Sequence, residues 1–66
     1  MENITYADMR LGLEVKNTKT DELGEIVNMW IHNGIRYFDV QLTSGSDKDE
    51  TISMSLAELT TFWRKV

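Results

Sequence analysis

The chain contains no cysteine. No disulfide can tie it together and no thiolate can hold zinc, although small domains commonly rely on one or the other. A chain without cysteine suits a reducing compartment, and we expect a cytoplasmic protein. Proline is also absent, and the one histidine is His32. With neither a second histidine nor a thiol there is no familiar transition-metal set, and beside a turn His32 reads as solvated rather than catalytic. The four glycines, Gly12, Gly24, Gly34 and Gly45, are dispersed as turn or bulge residues and form no phosphate cradle. Asp47, Asp49 and Glu50 lack the fixed glycine and the later glutamate of a calcium loop, and read as a solvated charge run. No stretch approaches the ~20 apolar residues of a membrane span. The opening MENITYADMR lacks the basic start and apolar run of a secretory signal. We therefore expect no cofactor, no metal, no membrane partner and no enzymatic activity.

What remains is one small domain, residues 1–66. A chain of this length buries only about 60% of the surface that its unfolded form exposes, so its stability must come from packing, backbone pairing or a partner. Seven Lys and Arg stand against eleven Asp and Glu, a net charge of −4. A chain of that sign gains little from counterion release on nucleic acid, and its bases are scattered along the sequence.

The clearest signal is GEIVNMWIHNGIRYFDVQL, residues 24–42. Two apolar-rich runs flank Asn33-Gly34, the dipeptide suited to a two-residue hairpin turn. That turn sets a register in which His32 faces Ile35, Ile31 faces Arg36, Trp30 faces Tyr37, Met29 faces Phe38, Asn28 faces Asp39, Val27 faces Val40 and Ile26 faces Gln41. Because side chains alternate across a sheet, Val27, Met29, Ile31, Phe38, Val40 and Leu42 form the expected core face. The opposite face carries Ile26, Asn28, Trp30, His32, Ile35, Tyr37, Asp39 and Gln41. Upstream, RLGLEVKN alternates as a half-buried strand with Leu11, Leu13 and Val15 inward. NTKTDELG and TSGSDKDET read as loops. ETISMS predicts a short strand with Ile52 and Met54 inward. The pair Ser55 and Glu58 then forms a capping box that opens a short helix docking Leu56, Leu59 and either Phe62 or Trp63, with Arg64 and Lys65 at its C-terminal end.

Four or five short antiparallel strands and a short C-terminal helix make a mainly β domain, and elements this short must curl to bury a core. On MRLGLEV, GEIV, RYFDVQL and ETISMSLAELTTF, the chain resembles small Src-homology-3-like (SH3-like) β-barrels, and is similar to bacterial and phage modules of the KOW and Tudor kind over residues 9–62. The resemblance implies an SH3-like barrel and leaves function open, because that barrel hosts many roles. The RNA-binding KOW modules are generally basic, whereas this chain is acidic.

Two functions compete. The first is a non-catalytic protein-interaction module, suited to a phage or mobile-element accessory protein. It would bind another protein, or itself, through a strand edge or through Trp30, Tyr37, Ile35 and His32 on the outer hairpin face. Trp and Tyr favour interfaces because they bury area while keeping a polar handle; the structural alternative has Tyr6 and Ile4 folded over the pair. The second is a nucleic-acid-associated barrel, which requires Lys16, Lys19, Arg36 and Arg64 to converge on one face.

Overall fold

In a computed structural model, which describes residues 2–66, Asn33 and Gly34 take φ values of 51° and 76°. Both are left-handed, as a two-residue hairpin turn requires. The turn joins β3, Leu23–His32, to β4, Ile35–Leu42. The other strands are β1 (Glu2–Asn3), β2 (Glu14–Asn17), β5 (Thr51–Ser55) and β6 (Trp63–Lys65). One turn of 3-10 helix spans Tyr6–Asp8, and α1 spans Leu56–Phe62. All strand pairings are antiparallel and form one sheet of order β1-β6-β2-β3-β4-β5. The domain is thus mainly β with one short helix. It has six strands rather than four or five, and the sheet is open, with β1 and β5 at its edges. No helix among the described residues is long and apolar enough to cross a membrane.

From the turn to Asn28 the hairpin keeps the expected register, with Trp30 opposite Tyr37 and Met29 opposite Phe38. Then it slips. Ile26 faces Val40 and Glu25 faces Gln41, because Val27 is an extra, bulged residue. A bulge shifts the ladder by one residue and so exchanges the faces beyond it. Ile26, expected on the outer face, is fully buried, and Val27, expected in the core, is exposed.

The inner face is covered by two short pieces of chain. Residues 4–9 bring Ile4 into the core and lay Met9 against it, and α1 contributes buried Leu59 and half-buried Leu56. Between them lie Leu13, Val15, Ile26, Phe38, Val40, Leu42, Met54 and Trp63. Four further residues expected in the core are exposed: Met29 (41%), Ile31 (60%), Ile52 and Leu11. Met29 and Ile31 lie on the inner face, on the part of the hairpin that runs past β2. Ile52 sits on the edge strand.

Leu11 is exposed because the chain turns before β2. The Leu13 N–H donates to the Arg10 carbonyl (3.2 Å), with Gly12 at φ +86° in the position a type II turn assigns to glycine. Gly24, expected in a loop, is buried within β3. The Asn17 Oδ1 accepts from the N–H groups of Lys19 (2.8 Å) and Thr20 (3.1 Å), shaping the turn into β3.

The capping box forms as expected. The Glu58 N–H donates to Ser55 Oγ (3.2 Å) and the Ser55 N–H donates to Glu58 Oε1 (3.5 Å). The helix stops at Phe62, and Trp63, Arg64 and Lys65 form β6 between β1 and β2 rather than ending the helix. Trp63 is the aromatic that enters the core, and Phe62 stays outside. Arg64 still serves the helix terminus: its guanidinium donates to the carbonyls of Thr60 (3.1 Å), Thr61 (3.2 Å) and Trp63 (2.8 Å), groups that a helix end leaves unpaired.

Candidate protein-contact surface on the β3–β4 hairpin

Tyr37 lies opposite Ser55, near the end of β5, so Ile35 and Arg36 run beyond that neighbour. On the other flank β2 pairs β3 only from Leu23 to Glu25. The tip of the hairpin, from Ile31 to Arg36, is therefore two-stranded, and from Asn28 to Trp30 only β5, beside β4, flanks it, leaving an arm with apolar residues on both faces.

On the outer face the Trp30 and Tyr37 rings stack, with centroids 4.5 Å apart and planes 14° apart. Cross-strand alignment brings them together, and such pairs stabilise a sheet by roughly 0.2–1 kcal/mol. Trp30 remains 38% exposed and Ile35 49%. The carboxylate of Asp39 anchors the pair from below. It accepts from Trp30 Nε1 (3.0 Å), Ser53 Oγ (2.7 Å) and Asn28 Nδ2 (3.2 Å). The Trp30 indole N–H, followed by the Ser53 hydroxyl and the Asn28 amide, holds the Asp39 carboxyl below its ordinary range, against an opposing effect of burial. The carboxylate is ionised at neutral pH and fixes the indole ring. Sequence reasoning put Asp39 on this face but missed its role, because its donors come from two different strands, β3 and β5. His32 and Ile35 face each other at the tip, both exposed.

The N-terminal segment does not cover the pair. Ile4 is buried in the core, and Tyr6 lies beneath Arg36, whose guanidinium carbon is 5.1 Å from the ring centroid. Arg36 shares the inner face with Ile31 and Phe38. Together with Met9, Met29, Tyr6, Trp30 and Tyr37 these residues line a cleft of about 230 Å³.

The four basic residues weighed for nucleic acid are divided. Lys16 and Arg64 are cross-strand neighbours, but Lys16 faces Asp21 (3.9 Å) and Arg64 is committed to the helix carbonyls. Lys19 lies over the Phe62 ring at 5.1 Å, and Arg36 sits at the hairpin tip over Tyr6. Comparison with protein-family models, with curated proteins and with solved structures finds no match.

Proposed function

We propose that this chain is a small non-catalytic protein-interaction module that docks through the distal β3–β4 hairpin, with Trp30, Tyr37, Ile35 and His32 as its contact face. One observation carries the reading: the arm exposes Trp30, Ile35, Met29 and Ile31 on its two faces. Contiguous apolar surface of this kind commonly marks a contact. The Asp39 carboxylate holds the indole in one orientation, which lowers the entropy cost of binding. We further read the domain as an open member of the SH3-like barrel class working in the cytoplasm. The covered inner face and the bulge at Val27, which sharpens strand twist, support the first; the cysteine-free sequence supports the second.

The test is the double substitution Trp30→Ser with Tyr37→Ser in the full chain, assayed by circular dichroism and by retention of partners captured with the native chain. A folded variant that loses its partner is the expected result. Collapse of the fold would make the pair structural. A folded variant with unchanged capture would reduce the face to ordinary surface.

A further inference from the structure

β3 is ten residues long, and its second half has an open side. β2 pairs with Leu23, Gly24 and Glu25, and the chain just before it bonds Ile26, through Gly12 N–H to the Ile26 carbonyl (2.7 Å) and Ile26 N–H to the Leu13 carbonyl (3.0 Å). From Val27 to His32, β4 flanks one side, and no backbone partner among the described residues flanks the other. In a two-residue hairpin the residues beside the turn, His32 and Ile35, form a hydrogen-bonded pair, and bonded and non-bonded pairs alternate from there. Trp30 and Asn28 thus direct their N–H and C=O groups to β4. Met29 and Ile31 direct theirs out of the open edge.

Proteins usually guard such an edge with lysine, proline, an inward charge or a covering segment. The stretch VNMWIH, residues 27–32, contains no Lys, Arg, Asp, Glu or Pro. Its bulge at Val27 protects only the base. The other open edges differ. β1 has two residues, and β5 follows Asp47, Asp49 and Glu50.

Resting on the reading of this arm as a contact surface, we infer that its partner is a second copy of the chain, added antiparallel along the free edge of β3 about a two-fold axis normal to the sheet. Charge and symmetry both select a second copy. First, each copy carries −4, so two copies repel over most of their surfaces. The uncharged 27–32 edge is where they approach without opposing like charges. Second, the edge is self-complementary. A two-fold axis normal to the sheet keeps each face beside its like, inner with inner and outer with outer. With Trp30 opposite Trp30 of the second copy, Met29 meets Ile31 of that copy, and the reverse. These are the residues whose backbone groups point outward, and each such pair exchanges both of its hydrogen bonds. The neighbouring permitted register, Met29 on Met29, would set the bulged Val27 against Ile31 and interrupt the ladder. In the selected register the two stacks join into one aromatic row across the outer face. Met29 and Ile31 of both copies cover one another on the inner face.

Amide exchange on the native chain tests this without altering it. The Met29 and Ile31 amides are expected to exchange roughly tenfold more slowly as the protein is concentrated into the dimer, while the Trp30 and His32 amides are protected at every concentration. A second measurement uses the absence of native cysteine. Trp30→Cys would oppose itself at a Cα separation of ~4.5 Å, inside the disulfide range of ~4.4–6.8 Å. It is expected to oxidise to a covalent dimer, whereas Ile35→Cys, exposed on the same face, is not. Concentration-independent exchange at Met29 and Ile31, or equal cross-linking of both variants, would overturn the inference. If those amides are protected only by a different captured protein, and Trp30→Ser with Tyr37→Ser abolishes that capture, the second copy is the wrong partner while the contact surface stands. If the chain stays monomeric and the double variant captures what the native chain captures, both readings fail.

Discussion

Replacing Gly24 with alanine sets two physical effects of opposite sign against each other. Gly24 does not occupy the left-handed region, so alanine fits its backbone, and the loss of unfolded-state freedom alone would stabilise the fold by about 0.4–1 kcal/mol. Sterics oppose this. A Cβ there would lie 2.6 Å from Val40 Cγ1 and 3.1 Å from the Gln41 carbonyl oxygen. Val40 is fully buried, so its methyl has no free volume to enter, and the carbonyl belongs to the paired strand. Overpacking of this kind costs about 1–3 kcal/mol. The net expectation for Gly24→Ala is a loss of about 1–2 kcal/mol, a large share of the ~5 kcal/mol typical of a small domain. At ~4–8 °C per kcal/mol, the Tm should fall by roughly 4–16 °C. Urea unfolding should show a lower midpoint at an unchanged slope. The mechanism is checked by Val40→Ala, which removes the obstructing methyl: the double variant should lose about 1 kcal/mol less than the two single losses combined. A Gly24→Ala chain as stable as the native one, or strict additivity with Val40→Ala, would refute the close-approach argument.

Three further predictions address other parts of the molecule. Phe38→Ala, at a buried inner-face position, should cost about 3–5 kcal/mol and leave the chain largely unfolded by circular dichroism; native-like melting would show the inner face wrongly assigned. The Thr5 backbone N–H, the Thr5 hydroxyl and the Lys65 ammonium lower the Asp8 pKa from 3.8 to about 2. A carboxyl with a depressed folded-state pKa contributes stability that is whole above the unfolded value and lost as pH falls through the folded one. The Tm advantage of the native chain over Asp8→Asn should therefore shrink between pH 3.8 and about 2, and an advantage constant across that interval would contradict the assignment. Glu14 and Glu25 face each other across β2 and β3. Glu25→Lys should stabilise by roughly 0.2–1 kcal/mol, an effect that added salt should diminish; no gain at low salt would count against the pairing.

The parts of the fold legible in the sequence were those written in local chemistry. Asn33-Gly34 dictates its own turn, and the register beside it follows. Ser55 and Glu58 announce the helix start. The bulge was not legible, because Ile26 and Val27 are both β-branched apolar residues and alternation alone gives no reason to bury one over the other. β6 was hidden for a related reason: a three-residue strand with one inward side chain, Trp63, has no period to detect, and its neighbours Arg64 and Lys65 are equally at home ending a helix. The Trp30/Tyr37 stack could be read from the register. Its anchor at Asp39 depends on Ser53, fourteen residues away, and such a partner is supplied by topology. The exposure of Met29 and Ile31 was hidden because alternation names a face without saying how far along the strand that face is covered.

The position of β6 has a consequence for how the chain acquires its structure. The strand that leaves the ribosome last among the described elements lies between the two that leave first. Thr18 accordingly bonds a carbonyl at Phe62, forty-four residues away, and Lys65 reaches Asp8 across fifty-seven. Contacts of such separation must overcome the entropy of closing nearly the whole chain before they contribute, and topologies rich in them fold slowly for their size. The β3–β4 hairpin needs only its own turn and can form on the microsecond scale, ~1–10 μs. As the chain folds, the arm can therefore form while β1 and β2 still wait for their shared neighbour. In that interval the arm's uncharged edge is presented to whatever chains lie nearby, other copies of this one included.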